Sequence, residues 1–301
     1  MPATLDMSCF NGSDGYSDGA EIEERLLEAV RAGKPPSLEP GEFSWPLYYH
    51  LSQKRRLLLE WYPFEPGAAL LELGAGCGAL TGLFCERVRR VVAAELSASR
   101  CRILHERWRA CDNLEVVAGN MLDIGPRGEF DYATLIGVLE YARSFVKTGA
   151  PHAAMLAEVR RRLKPGGRLL LALENRFGLK YFAGAGEDHT GRPFESIECY
   201  PLDPPVDTFS KREIETLLLD SGFSNLEFHY PHPDYKFPDA VFSDSRLPQG
   251  FELGPAPNPD RSRIRLFDES RAWARLVRDG MFPWFANSFL VVAEAQRGGR
   301  K

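Results

Sequence analysis

The 301-residue chain lacks most of the marks that would place it quickly. No apolar run approaches bilayer-spanning length, so no membrane insertion is expected. The N-terminus is polar and glycine-rich, without the apolar centre of a signal peptide. The six cysteines, Cys9, Cys77, Cys85, Cys101, Cys111 and Cys199, include no C-x-x-C pair, which argues against a zinc knuckle or a dithiol redox site. Several lie in expected core helices, a pattern of reduced thiols and of a cytoplasmic protein. Neither sign of charge dominates. A formal charge of -5 gives no pull toward nucleic acid or an anionic surface. Arginines cluster at Arg100, Arg102, Arg107 and Arg109, and again from Arg160 to Arg162. Both groups sit beside acids on expected helices and read as solvated faces. Hydrophobic residues make up 44% and charged residues 26%, the balance of an ordinary globule with one large domain or a domain and a cap.

The rest of the chain is arranged around Ala69 to Leu96. The apolar run Ala69-Leu70-Leu71 continues through Glu72 and Leu73 and breaks into Gly74-Ala75-Gly76-Cys77-Gly78. This reads as a buried strand ending in a tight turn. A helix is expected from Ala79 to Val88, then a second apolar strand, Val91 to Ala94, closed by Glu95. Strand, glycine turn, helix, strand and acid form the layout of a nucleoside-binding βαβ unit, in which the terminal carboxylate can hold both ribose hydroxyls. The third glycine of a dinucleotide fingerprint is missing, since Ala79 stands in its place. An acid at Glu72 also suits an amino-bearing ligand better than a pyrophosphate.

The pattern E-x-G-x-G-x-G followed by an acid ending the next strand resembles the class I methyltransferases that use S-adenosylmethionine (SAM). The resemblance implies an α/β fold, a doubly wound, seven-stranded and mostly parallel sheet. It runs from about Ala69 to Phe228, with a closing antiparallel strand from Asn287 to Ala295. It implies SAM as cofactor, held by Glu72, Gly74, Ala75, Gly76, Glu95, Leu96, Asn120, Met121 and Gly137. Asn120 and Met121 end the third strand, where the family places a partner for the adenine amino group and an apolar neighbour for the ring. Gly137 opens Gly137-Val138-Leu139-Glu140-Tyr141, the segment expected beside the methionine end. The run Leu163-Lys164-Pro165-Gly166-Gly167 before the fifth strand is a further match.

Residues 1–65 are expected to form an N-terminal helical lid and residues 66–301 the core. Met1 to Asp18 is small and polar and reads as mobile. Asp18 can cap a helix stopped by Gly33, and Lys34 to Gly41 is a proline-rich connection. Ser44 can cap a second helix running to about Trp61, whose Trp45, Tyr48 and Tyr49 would either cover the ligand turn or pack plainly against the sheet. Ser97, Ser210 (with Glu213 in a capping box) and Asp268 mark three later helix starts.

Insertions at 174–205 and 231–285 exceed the minimal fold and are expected to form a substrate cap. Glu140, Tyr141, Asn175, Arg176, Tyr181, Glu187 and Arg192 are candidates to bind the acceptor. A hydroxyl acceptor benefits from a base, and His189, oriented by Asp188 or replaced by it, is the candidate. The competing reading has Asp188-His189-Thr190 tying down the loop by local hydrogen bonds. No metal is assigned, because three adjacent residues seldom all point inward.

Wording decides the acceptor class. The G-A-L-T stretch after the turn resembles ribosomal RNA adenine methyltransferases. Those carry an N/D-P-P-Y/F-like segment where this chain has G-V-L-E-Y. The insertion E-N-R-x-G-L-K-Y-F-x-G-x-x-E-D-H-T-G resembles methyltransferases of polysaccharide and glycoside clusters. The expectation is O-methylation of a sugar or glycosylated small molecule, with a glycosyltransferase as a further partner and no nucleic acid. Another small metabolite, ribosomal RNA, or a catalytically silent SAM-binding scaffold stand as alternatives.

Overall fold

The computed structural model describes residues 2–12, 17–37, 39, 42–125, 127–257 and 263–296. The chain forms two compact units, residues 1–135 with 162–167, and residues 136–161 with 168–301. Parts of two expected segments, Leu38, Pro40 and Gly41 in the proline-rich connection and Pro259 in the second insertion, lie outside the described residues.

In the first unit the chain runs β1 (Thr4–Asp6), α1 (Ala20–Ala32), α2 (Trp45–Leu51), β2 (Ala69–Leu73), α3 (Thr81–Arg87), β3 (Arg90–Glu95), α4 (Ala98–Trp108), β4 (Leu114–Ala118) and β5 (Phe130–Ile136). The strands pair in the order β1-β4-β3-β2-β5, all parallel. Every residue of β2 is buried, the reason its sequence reads as a continuous apolar run and not an alternating one.

The N-terminal segment corrects several expectations. Residues 4–6 are an edge strand on β4, pinned by Arg127, which bridges Asp6 at 2.6 Å and also bonds Glu115 of β4. Gly19, not Asp18, precedes α1. Asp18 is drawn away by His50 at 2.9 Å and Arg100 at 2.6 Å, which hold its carboxyl down at about 2 against its partial burial. The second helix stops at Leu51. Ser52 turns extended and its hydroxyl accepts from the Lys54 N–H, capping a short 3-10 turn over Gln53–Leu58. Arg100 and Arg107 are not on a solvated face. Arg100 is buried on Asp18. Arg107 donates to the carbonyls of His50, Leu51 and Cys77 at 2.8, 3.2 and 3.1 Å, and so ties the end of α2 to the glycine turn. Leu26, Leu51, Cys77 and Ile103 form one apolar cluster around that tie.

The second unit contains α5 (Ala142–Phe145), α6 (Pro151–Arg162), β6 (Leu163–Glu174), α7 (Leu179–Phe182), α8 (Lys211–Asp220), β7 (Phe223–His232), β8 (Ala240–Ser243), α9 (Glu269–Arg278), α10 (Phe282–Phe285) and β9 (Ser288–Ala295). β9 is antiparallel to both β6 and β7, as expected of the closing strand. β8 pairs antiparallel with the outer side of β7. Described strands therefore number nine, five in the first unit and four in the second, against the seven expected. The two extra strands, β1 and β8, come from the N-terminal segment and the second insertion. The capping box at Ser210 and Glu213 is present. No described helix is long and apolar enough to cross a membrane.

Two glycines near the turn exist for one tryptophan. The Trp108 indole N–H donates to the Gly78 carbonyl at 2.8 Å. A Cβ on Gly78 would meet its ring at 2.8 Å and one on Gly82 at 2.2 Å. Gly82→Ala should therefore cost about 1–3 kcal/mol by overpacking, read by urea unfolding. Combined with Trp108→Ala the penalty should largely vanish, and additive losses would show that the ring does not set the constraint.

Candidate functional site

In the first unit the glycine turn leaves β2 and doubles back through three left-handed residues, Gly74, Gly76 and Gly78, with φ of 71°, 55° and 76°. The backbone N–H groups of Gly74 and Ala75 donate to the Ala94 carbonyl at 2.9 and 3.1 Å, so they face inward. Ala75 is itself buried. Gly76 is different, because a Cβ there would meet nothing within 4 Å. The turn is thus open at Gly76. Glu95 closes β3 beside it. One carboxylate oxygen accepts from the Gly76 N–H at 2.8 Å and the other from the Ser97 N–H at 2.9 Å. Each oxygen keeps a second lone pair, which suits a vicinal diol. Leu96, Asn120 and Met121 are partly exposed. The Asn120 side-chain oxygen accepts from the Leu122 N–H at 3.0 Å and so orders the turn after β4. The N-terminal segment passes close by, with the Cys9 carbonyl 2.8 Å from a Cβ built on Gly119. Nothing in the sequence signalled that approach. An open glycine turn, a diol-ready carboxylate and a half-exposed apolar rim fit SAM's nucleoside.

Glu72 does not present a carboxylate to that open face. It is buried and accepts from the Thr81 hydroxyl at 2.6 Å at the start of α3. Burial raises it to about 8, with Thr81 opposing, so it is neutral at pH 7.

In the second unit, Gly137 has φ 67° and a Cβ there would lie 2.6 Å from the Tyr235 hydroxyl, so this glycine makes room for a tyrosine. The same unit holds a buried ionic network. Lys180 bonds Asp188 at 2.8 Å and Asp234 at 2.7 Å. Lys236 bonds Glu174 and, at 3.0 Å, Asp188. The Tyr181 hydroxyl donates to Asp188 at 2.5 Å. Asp188 is thereby committed to two lysines and a tyrosine, and its carboxyl is held well below the usual range against its own burial. The carboxylate set against the His189 ring is Glu174, with Nε2 3.7 Å from Glu174 Oε2, which corrects the expectation for Asp188. Tyr141 meets the other nitrogen, its hydroxyl 3.0 Å from Nδ1. Burial pulls the imidazole down, but Glu174, then Glu187 and Asp188, raise it above 6.5.

Glu140 and Glu174 are both fully buried. Burial and the Glu174 charge push Glu140 well above the usual range, so it stays protonated. Burial also opposes Glu174, but Lys236, then His189 and Lys180, hold it ionised.

Other candidates are structural. Glu187 accepts from the N–H groups of His189 and Thr190 at 2.9 and 2.7 Å and from Tyr200, and so ties the loop. Asn175 is buried and donates to the carbonyls of Trp284 and Ala286, both at 2.8 Å. Arg176 donates to the Thr208 carbonyl at 2.6 Å and to Glu213 at 3.1 Å. Tyr181 is fully buried, and Arg192 is largely exposed near Glu195. Sequence reasoning missed Glu174, Asp234 and Lys236. The usable signal was an acid ending the apolar run Leu169–Leu173, a charge that its strand buries and that must find a partner.

The neutral state of Glu72 has a measurable consequence. A carboxyl raised from 4.5 to about 8 on folding contributes stability below pH 4.5 that is lost as pH rises toward 8. Glu72→Gln should be nearly neutral at pH 4.5 and should gain on the wild type as pH rises to 8, by up to about 5 kcal/mol. Chemical denaturation across that range checks it, and a pH-independent difference would contradict the buried, neutral carboxyl.

A family profile described as "Methyltransferase domain" matches residues 71–169. Ribosomal RNA small subunit methyltransferase A of Geobacter metallireducens is 36% identical over 68 residues, 23% of this chain and 25% of that protein. A Methanosarcina mazei protein named "Probable ribosomal RNA small subunit methyltransferase A" is 39% identical over 60 residues, 20% of this chain and 22% of that one. The chain thus spans about a quarter or less of the length of these curated relatives. Among solved structures, the [4+2]-cyclase SpnF superposes with a TM-score of 0.51 at 17% identity over 98% of this chain and all of its own. A Haloferax volcanii complex between the Trm112 methyltransferase activator and a methyltransferase gives 0.51 at 17% identity, over 93% and 99% of the two chains. These last two likenesses show the fold, and the profile match places a methyltransferase domain over residues 71–169, the stretch that holds the cradle at Gly76 and Glu95.

Proposed function

We propose that the chain is a SAM-dependent O-methyltransferase acting on a sugar or glycosylated small molecule. The observation that carries this is His189, a histidine made more basic by a buried carboxylate. When bound, SAM supplies a methyl group already activated on a sulfonium. A neutral amine needs no base to accept it, whereas a hydroxyl does, and a basic imidazole with a carboxylate behind it answers that need. Glu95 is suited to the ribose hydroxyls and Gly76 to close approach of the ligand, while Leu96 and Met121 offer apolar surface to the adenine. Arg107 ties the end of the helix that carries Trp45, Tyr48 and Tyr49 to the turn, which supports reading the three rings as a lid.

Ribosomal RNA is the second reading, favoured by the two curated relatives. Their similarity is confined to 60 and 68 residues. The chain has G-V-L-E-Y where a planar base would be gripped, and Glu140 of that segment is wholly buried. The [4+2]-cyclase among the structural neighbours is a reminder that this fold alone does not fix a reaction. The glycan reading implies a glycosyltransferase that supplies the acceptor and a cytoplasmic site of action.

Cofactor binding is tested by calorimetry. Glu95→Ala and Gly76→Val should each abolish SAM binding with the fold intact by circular dichroism, and full-strength binding in both would remove the cradle assignment. The acceptor class is tested by methyl transfer to nucleotide sugars, lipid-linked glycans and RNA. Transfer to the RNA arm alone would reverse the choice. With a hydroxyl acceptor, His189→Ala should lower turnover by ~10²–10⁴. Wild-type turnover should rise with pH through an ionisation above 6.5, the ordinary imidazole value. That rise should be missing in the variant.

A further inference from the structure

Neither ring nitrogen of His189 is open to an acceptor. Nδ1 is covered by the Tyr141 hydroxyl at 3.0 Å, with the two rings edge-to-face at 5.1 Å. Nε2 is buried and turned inward, 3.7 Å from Glu174 Oε2 and 3.9 Å from Glu187 Oε1. The His189 side chain is only 9% exposed. An acceptor O–H cannot reach the imidazole lone pair without passing through the tyrosine oxygen or breaking the network.

We propose that Tyr141 is the catalytic residue that meets the acceptor hydroxyl, passing its own proton to His189, with Glu174 as the positioning residue behind the ring. This rests on the reading of the chain as a hydroxyl methyltransferase. The order of groups, O–H, imidazole, carboxylate, is the arrangement by which a buried acid fixes the tautomer and orientation of a histidine base. Glu174 beside Nε2 favours the tautomer with its hydrogen there, which leaves the Nδ1 lone pair facing the Tyr141 O–H. As the acceptor oxygen bonds to the methyl carbon, the carbon–sulfur bond breaks and its electron pair stays on sulfur. The acceptor proton moves to Tyr141 Oη as the tyrosine proton moves to Nδ1. The step ends with a neutral tyrosine, an imidazolium and the methyl ether, and the imidazolium later returns its proton to solvent.

The surrounding charges favour this outcome. Glu140, from the segment that carries Tyr141, is neutral and adds no field of its own. Glu174 and Glu187 face Nε2 from β6 and from the insertion. Lys236 is paired with Glu174 and Asp188, and Lys180 with Asp188 and Asp234. Each lysine is thus balanced by an acid, and the imidazolium can form without facing an unpaired cation.

The test has a spectroscopic arm and a kinetic arm. In wild-type protein, ¹⁵N spectra of His189 above its midpoint should show a bare Nδ1 and a protonated Nε2. Glu174→Gln should lower the His189 midpoint, and Tyr141→Phe should leave the fold intact but mix the tautomers. Turnover of Tyr141→Phe should fall at least 100-fold while SAM affinity by calorimetry is unchanged. A protonated Nδ1 in neutral wild-type His189, or near-normal turnover in Tyr141→Phe, would overturn the relay. A wild type that methylates no hydroxyl acceptor would instead remove the functional reading, and the nitrogen spectra would still decide the relay.

Discussion

Glu174 is fully buried at the end of a strand, and the Lys236 ammonium beside it is what keeps it ionised. Isolated, such a charge would take up a proton. Held as an anion, it raises His189, keeps Glu140 protonated and, through Lys236, shares Asp188. Lys180 and Asp234 complete the balance. The second unit's polar interior is therefore one coupled arrangement. Removing any single charge would leave a neighbour buried and uncompensated, which is costlier than the pair is stabilising.

Buried acids elsewhere in the chain meet the same constraint by other means. Glu95 is solvated by two backbone N–H groups. Glu72 stays neutral and accepts from a threonine. The sequence showed both as acids flanking a glycine turn, and their spacing gave no sign that one would take up backbone N–H groups at the turn and the other would be closed in and neutral. Three-dimensional neighbours decide that: the Gly76 and Ser97 N–H groups for one, Thr81 and a closed interior for the other.

The first unit was legible because its signals are local. Apolar runs, a glycine turn and an acid at fixed spacing describe a βαβ unit almost completely, and the capping box at Ser210 places a helix without any tertiary information. Failures came where a partner lies far along the chain. Asp18 looked like a helix cap until Arg100 claimed it, and β1 becomes a strand only because Arg127 and β4 are there to receive it. In the insertions, His189 was found from its residue type. Its real carboxylate, Glu174, lies 15 residues upstream and needed Lys236, 62 residues beyond that, to be recognised as charged.

Methyl transfer from a sulfonium asks little of a protein beyond alignment, and this has a bearing on why so much charge is buried in one place. An amine acceptor would need only a route for its proton after the reaction. A sugar hydroxyl must lose its proton as it attacks, and water would compete for any base left open to it. Under the proposed relay, both nitrogens of His189 are covered and the imidazole acts only on groups that dock against the Tyr141 oxygen. On that reading a docked hydroxyl gives up its proton where it attacks, and bulk water meets a phenol instead of an imidazole. Under the proposed reading, the cost of burying the network is set against selectivity for a docked hydroxyl, a demand that a relay meets and a solvent-exposed base does not.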